Sequence, residues 1–173
     1  MCRSRAMEDA SGVALRPRTT MGAKSTRTIA FEEFLPLWES LREASVAPGT
    51  AIVVEGERDV RSLRRLSVRG IIVPVHQGRS LSRLAHELGE HRTRVILLTD
   101  WDAEGGTLAR RLKEFLEAGH STVDLEYRRR LARALRGEIV HVEGLAGWAR
   151  RAAEEAGAPL EEWIEGDAPQ ATE

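Results

Sequence analysis

Short apolar runs alternate with segments of helical periodicity through the middle of this chain. Each run has four or five residues and no alternating polar position, which is typical of strands covered on both faces of a parallel sheet. A strand–helix–strand order of this kind implies right-handed crossovers between parallel strands. We therefore predict an α/β fold class, with a parallel-stranded sheet of about four strands flanked by helices. The apolar runs cover 51–54, 71–75 and 95–98, and the predicted helices cover 59–66, the segment after Ser80 and about 104–118.

Composition divides the rest of the chain into segments around this central region. A helix over about 30–44 has an apolar stripe at offsets of three and four, and Pro48-Gly49 ends the linker that follows it. The predicted divisions are a disordered basic segment over 1–28, an N-terminal helix and linker over 29–49, the α/β domain over 50–145, a C-terminal helical extension over 146–165 and an acidic tail over 166–173.

Two of these segments leave alternatives open. The basic segment has six basic residues against two acids and no periodicity, so we expect disorder, with a basic arm that binds nucleic acid as the alternative. Met1 and Met21 both stand as candidates for the first residue. In the extension, Trp148 and Trp163 lie on a segment that either packs on the sheet or forms a surface for a partner. We favour the prediction that this segment packs in the core.

Composition excludes several classes of protein. The net charge is -1, so the surface as a whole is not basic in the manner of a histone-like carrier. A single cysteine, Cys2, excludes a disulfide framework and a thiolate zinc site. The sequence contains neither an apolar run long enough to span a membrane nor the apolar stretch of a signal peptide. We therefore expect a soluble protein of the cytoplasm, and the oligomeric state stays open.

Carboxylates follow two of the predicted strands at the point where each strand ends. Glu55 follows the first strand, and Asp100 and Asp102 follow the third. The carboxyl ends of parallel strands meet at one edge of a sheet, so these acids are expected to lie close together. Clustered carboxylates favour a hard divalent cation, Mg²⁺ or Mn²⁺. Asp59 and Glu104 are possible auxiliary ligands, although both also suit the first turn of a helix, and Asp102 also suits an N-cap.

The segments that carry these acids resemble the Toprim domain. Val53-Val54-Glu55-Gly56 ends one strand, and Leu98-Thr99-Asp100-Trp101-Asp102-Ala103-Glu104-Gly105 follows another, over a resemblance of about 50–119. The domain is shared by type IA and II topoisomerases, bacterial primases, OLD-family nucleases, recombination mediators and the ribonuclease that matures 5S ribosomal RNA. Many members have proline between the aspartates, where this chain has Trp101. Two downstream stretches, 123–129 and 142–145, look like those of small stand-alone Toprim proteins.

The resemblance implies a role for each matching acid. Glu55 matches the glutamate that acts as a general acid or base in phosphoryl transfer, and could also contact the metal. Asp100 and Asp102 match the pair that coordinates Mg²⁺. Burial and carboxylate crowding at this edge are expected to raise the pKa of Glu55, as a general acid requires. Recombination mediators keep the same fold largely for binding, so a metal site need not be catalytic.

A second feature of the sequence is a row of arginines over 127–136. On a helix, Arg129, Arg133 and Arg136 would share a face, which suits contacts to a phosphate backbone. Arg58 and three further arginines at 61, 64 and 65 could extend this surface. The alternative is a solvated face of a chain that prefers arginine to lysine. The five histidines show no spacing typical of metal ligands.

The resemblance and the missing motifs narrow the expected function. The printed sequence contains no four-cysteine zinc motif, no ATPase phosphate loop and no tyrosine-bearing cleavage domain. We therefore expect a minimal Toprim protein that acts as a Mg²⁺-dependent phosphodiester enzyme on nucleic acid. A nuclease for structured RNA, similar to the 5S rRNA maturase, is favoured over DNA. The alternative is a non-catalytic nucleic-acid-binding or adaptor protein with a structural Mg²⁺.

Overall fold

A computed structural model describes residues 25–91 and 94–159 of the chain. Of the segment over 1–28 that was predicted to be disordered, 1–24 lie outside the described residues, while 26–28 belong to a helix, so disorder is wrong for these three. Residues 160–173, including Trp163, also lie outside the described residues. The elements are α1 (Thr26–Ser45), β1 (Thr50–Val54), α2 (Glu57–Arg65), β2 (Ile71–Pro74), α3 (Leu81–Glu90), β3 (Arg94–Leu97), α4 (Ala103–Ala118), β4 (Thr122–Asp124), α5 (Glu126–Ala134), a 3-10 turn (Val142–Gly144) and α6 (Leu145–Ala156).

The four strands form one parallel sheet in the order β2-β1-β3-β4. Strand β1 lies inside the sheet, and all five of its residues are buried, which explains its unbroken apolar run. Its register aligns Val53 with Leu97 of β3, so the two strands end side by side. The predicted α/β class and the parallel sheet are confirmed.

Helices cover both faces of the sheet with separate hydrophobic cores. Helices α1, α2, α5 and α6 contribute to the larger core, together with Ile52, Val54, Ile96 and Leu98. Helices α3 and α4 cover the other face, against Val53, Val95 and Leu97. Successive strand residues point to opposite faces, so one strand supplies both cores.

Helix α1 begins at Thr26 and runs through Pro36 without interruption. The side chain of Ser25 accepts a hydrogen bond from the Thr28 N–H and caps the helix, which explains a start earlier than the apolar stripe alone predicts. Helix α6 packs against α1 through Trp148, whose ring meets that of Phe34 edge-on at 5.2 Å between centroids. Trp148 is therefore a core residue.

Helix α2 begins at Glu57, two residues before the predicted start. Gly56 occupies the N-cap position, and its N–H donates to Asp59 Oδ2 at 2.9 Å, as in a capping box. Glu55 therefore lies between the end of β1 and the start of a helix, on a short connection with little freedom to move. Among the described residues, no helix has the length and apolar content to cross a membrane.

Candidate metal centre

Glu55 and Asp100 meet where β1 and β3 end. The backbone N–H of Asp100 donates to Glu55 Oε1 at 3.0 Å, so the two strand ends are joined by a side chain. The arrangement follows from the register, which places the two strand ends side by side. We call the edge formed by Glu55, Asp100 and Asp102 the carboxylate rim.

Both carboxylate oxygens of Asp100 contact the segment before α6. Asp100 Oδ2 lies 2.8 Å from His141 Nδ1, and the Val142 N–H donates to Asp100 Oδ1 at 2.7 Å. His141 Nδ1 also lies 3.8 Å from Asp102 Oδ2. One imidazole nitrogen thus stands between the two aspartates.

Asp102 caps helix α4, as its position in the sequence allowed. Its Oδ1 accepts a hydrogen bond from the Gly105 N–H at 2.7 Å. The cap uses Oδ1, while Oδ2 faces His141, so the two oxygens have different neighbours. Capping therefore orients Asp102 at the rim and does not compete with a contact to a cation.

Asp100, Asp102 and His141 form a group that fits a divalent cation. Each offers one ligand atom, and these atoms lie within 4.8 Å of one another. Two carboxylates suit Mg²⁺ or Mn²⁺, and an imidazole ligand extends the range toward softer divalent metals. Among the other predicted ligands, Glu55 lies beside this group, Asp59 is buried against Gly56, and Glu104 is exposed in the first turn of α4.

Burial is the main cause of the altered acidity of Glu55 and Asp59. Partial burial raises the pKa of Glu55; the hydrogen bond from Asp100 opposes this, and the charges of Asp100, Asp59 and Asp102 add to it. Burial likewise raises the pKa of Asp59, against the hydrogen bond from Gly56. The hydrogen bond to Asp100 raises the pKa of His141. The predicted rise for Glu55 is confirmed.

Arg128 is a residue of this site that the sequence pattern did not single out. Its Nε donates to the carbonyl oxygen and hydroxyl of Thr99, at 3.2 and 3.0 Å, and its Nη2 donates to the carbonyl oxygen of Asp100. Burial lowers the pKa of Arg128, and the charges of Glu55, Asp102 and Asp100 raise it. Arg128 thus ties α5 to the end of β3 and partly balances the negative charge of the rim.

Trp101, the residue between the two aspartates, holds the segment that carries His141. Its indole N–H donates to the Ile139 carbonyl at 2.8 Å, and its backbone N–H donates to the Val140 carbonyl at 3.0 Å. His141 was missed from sequence because 41 positions separate it from Asp100, and local spacing carries no signal of such a contact.

The predicted arginine surface is only partly helical. Arg129 and Arg133 are exposed one turn apart on α5, while Leu131 and Leu135 are buried on the opposite side. The expectation that Arg136 shares their helical face is wrong, because α5 ends at Ala134 and Arg136 lies in the turn that follows. Arg58 lies on α2, where its Nη1 is 3.7 Å from Glu143 Oε2.

Gly105 allows helix α4 to begin directly against the carboxylate rim. A Cβ atom there would lie 2.0 Å from the Asp100 carbonyl oxygen, so Gly105→Ala is expected to lower the free energy of unfolding by about 1–3 kcal/mol. Gly106→Ala is the matched control, because its Cβ would meet only Arg128 Nη2 at 3.7 Å. That change should raise the free energy of unfolding by up to about 1 kcal/mol. Urea denaturation of both variants checks the prediction, and equal stabilities would contradict it.

Comparisons with known proteins agree with this geometry. Residues 50–140 match the family model of the Toprim domain. A UPF0292 protein of Thermococcus gammatolerans is 38% identical over 117 residues, which are 68% of this chain and 84% of that protein. A UPF0292 protein of Pyrococcus furiosus is 41% identical over 101 residues, 58% of this chain and 72% of that protein. A solved structure of a protein from Aquifex aeolicus has a TM-score of 0.54 and 27% identity, covering 63% of this chain and 94% of its own.

The family match covers the whole carboxylate rim and stops before the 3-10 turn and α6. Toprim domains bind divalent metals, and the group of Asp100, Asp102 and His141 supplies suitable ligand atoms. A metal-binding function related to nucleic acid is therefore supported, as is the resemblance first noted at Glu55 and the two aspartates. This chain belongs to the Toprim domain family.

Proposed function

We propose that this protein is a Mg²⁺-dependent phosphodiester enzyme of the nuclease or nucleotidyl-transfer type, with Mn²⁺ as a possible substitute. Its proposed substrate is nucleic acid, with structured RNA favoured. The observation that carries the proposal is the contact of Glu55, a carboxyl with a raised pKa, with Asp100 of the ligand group. A proton-transferring group beside a metal site is the pair that phosphodiester chemistry needs.

Asp100, Asp102 and His141 would hold the cation, and without it His141 Nδ1 is hydrogen-bonded to Asp100. When bound, the ion would neutralise the crowded phosphodiester oxygens and the developing negative charge. Glu55 accepts the Asp100 N–H at Oε1, which leaves Oε2 to carry the proton. In the proposed mechanism, Glu55 Oε2 gives this proton to the leaving oxygen and can take one from an attacking hydroxyl. Asp59 supports this role because its charge contributes to the raised pKa of Glu55.

Exposed arginines on two elements would hold the substrate. Arg129 and Arg133 on α5 and Arg58 on α2 present guanidinium groups to solvent, and Arg136 adds one in the turn after α5. Guanidinium groups pair with phosphate oxygens in a bidentate manner. Glu104, exposed beside Asp102, stays a candidate auxiliary ligand that the chemistry does not require.

A non-catalytic role is the second candidate. Both oxygens of Asp100 and one oxygen of Asp102 already accept protein hydrogen bonds or contact His141. Such well-satisfied carboxylates also suit a structural cation in a nucleic-acid-binding or adaptor protein.

An end-labelled cleavage assay separates the two functions. Wild-type protein would be incubated with structured RNA, single-stranded DNA or duplex DNA in Mg²⁺, Mn²⁺ or EDTA. We expect cleavage of RNA with either metal, none in EDTA, and none by the double variant Asp100→Asn/Asp102→Asn, which lacks both anionic ligands. Asn keeps the helix cap at position 102. The control is Glu114→Gln on the exposed side of α4, which should cleave normally. Absence of any metal-dependent cleavage by the wild type would favour the non-catalytic role.

A further inference from the structure

A groove between α2 and α6 is strongly basic. Its volume is about 500 Å³, and four arginines line it: Arg58, Arg61 and Arg65 from α2, and Arg151 from α6. The lining contains a single carboxylate, Glu143, at one end. We call this cavity the α2/α6 groove. Its excess of positive charge favours binding of an anionic ligand.

The arginines of the groove are positioned for such a ligand. All four are exposed, and the Arg58–Glu143 contact of 3.7 Å is a long one at the surface, so it holds Arg58 weakly. Within residues 25–91 and 94–159, neither Arg61 nor Arg151 pairs with a carboxylate. The floor includes Gly147, where a Cβ would lie 3.4 Å from Arg151 Nη1.

The size of the groove favours a single strand of nucleic acid over a duplex. Arg58, Arg61 and Arg65 share one face of α2 at offsets of three and four, over about 10 Å of helix axis. At most about three phosphates of one strand fit along that length, because even in the compact B-form each phosphate takes about 3.4 Å of helix axis. A volume of about 500 Å³ is that of a small-ligand site, so the groove can take a short length of one strand and not the body of a duplex, whose major groove alone measures about 12 Å across. None of the described residues that line the groove is aromatic, so contacts would be to phosphates and independent of base sequence.

The groove is built from two chain segments that also reach the carboxylate rim. Helix α2 begins two residues after Glu55, so Arg58 lies in the turn nearest the rim. The segment that precedes α6 contributes Ile139 and Glu143 to the groove and His141 to Asp100. A strand in the groove would therefore be held next to acids that would otherwise repel it. Helix α6 lies outside the residues matched by the Toprim family model, so the domain alone does not build this groove.

We propose that the α2/α6 groove binds the phosphate backbone of single-stranded nucleic acid and leads that strand to the carboxylate rim. The proposal rests on the proposed function, since it names the form in which the substrate reaches the same site. It assigns Arg61 and Arg151, with Arg58 and Arg65, to a phosphate track that is separate from the arginines of α5.

Fluorescence anisotropy in EDTA tests binding without cleavage. The probes are a 3′-fluorescein-labelled 12-nucleotide RNA, the DNA of the same sequence, and the blunt duplex of that DNA. Arg61→Gln/Arg151→Gln should weaken binding of the single strands about tenfold or more. The slope of log affinity against log salt should become shallower by about 1.4, because each lost phosphate contact removes about 0.7. The RNA and DNA arms identify which strand the groove prefers.

Arg110→Gln/Arg111→Gln is the matched control, because both arginines are exposed on α4, on the other face of the sheet. It changes the net charge equally and should alter affinity less than about twofold. A second variant, Gly147→Glu, places a carboxylate in the groove and should weaken binding while Arg61 and Arg151 remain. Equal losses in the groove and control variants would overturn the proposal, and so would duplex binding as tight as that of single strands. A wild type that binds through the groove yet never cleaves would overturn only the enzyme function.

Discussion

Glu55→Gln is expected to reduce metal-dependent cleavage by about 10²–10⁴-fold, the range that a general acid contributes. The amide keeps the size of the side chain and an oxygen that can accept the Asp100 N–H. It has no proton to give to the leaving oxygen. Binding of nucleic acid in EDTA should be unchanged. Initial cleavage rates at saturating substrate, together with anisotropy, measure the two quantities separately.

The pH dependence gives this substitution a second readout. A general acid must be protonated, so the wild-type rate should fall as pH rises through the raised pKa of Glu55. The stability of the fold in EDTA should also fall as pH rises. A carboxyl whose pKa is raised by folding stabilises the folded protein below its usual pKa, and this stabilisation is lost as pH rises from the usual pKa to the raised pKa. Glu55→Gln has no charge to bury at neutral pH, so the variant should unfold at a higher temperature than the wild type at that pH.

Glu57→Gln is the control for this pair of measurements. Glu57 is exposed two residues after Glu55 and contacts Gln77 rather than the rim. Its replacement should leave both the cleavage rate and the melting temperature close to the wild-type values. If Glu55→Gln cleaves at more than a tenth of the wild-type rate, the general-acid role is wrong.

Trp148→Ala is expected to lower the free energy of unfolding by about 3–5 kcal/mol, the range for removing a buried aromatic side chain. Trp148 is 1% exposed and contacts Phe31 and Phe34 of α1, with ring centroids at 6.4 and 5.2 Å. Its indole N–H also donates to Glu138 Oε2 at 3.1 Å. The substitution leaves a cavity at the junction of α1 and α6 and removes one of the two donors to Glu138 Oε2, the other being Arg27 Nε. Urea denaturation followed by circular dichroism measures the loss.

Phe115→Ala provides the comparison, because Phe115 is an aromatic residue of α4 that is 39% exposed. Its replacement should cost much less, since part of its surface already faces water. If Trp148→Ala lowers the free energy of unfolding by less than about 1 kcal/mol, the prediction is wrong and α6 does not depend on this contact.

Much of the fold could be predicted from residues 50–118 because their pattern is local. Three unbroken apolar runs stand in the sequence where β1, β2 and β3 form. The expectation that all three strands are covered on both faces is wrong for β2, because β2 is an edge strand and its Ile71 is 63% exposed. The rule that ligands bind beyond the carboxyl ends of such strands then placed Glu55 near Asp100, and the structure brings them within a hydrogen bond.

Contacts between distant segments could not be predicted in the same way. His141 meets Asp100 across 41 positions, and Arg128 meets the Asp100 carbonyl across 28. Arg128 stands in a row of arginines, and only packing of α5 on β3 distinguishes it from its exposed neighbours. For Arg136 the local pattern predicted too much, because it extended a helical face beyond Ala134, where α5 ends. The α2/α6 groove likewise depends on how α6 packs.

The pairing of α1 with α6 also has a consequence for synthesis of the chain. Arg27 and Glu155 form an ion pair across 128 positions, so α1 is completed by a helix that is synthesised much later. A ribosome adding about 5–20 residues per second needs roughly 6–25 s to cover that distance. During this interval the apolar side of α1, with Phe31, Phe34 and Trp38, lacks the helix that covers it in the native fold. Native packing of α1 must therefore wait until α6 has been synthesised.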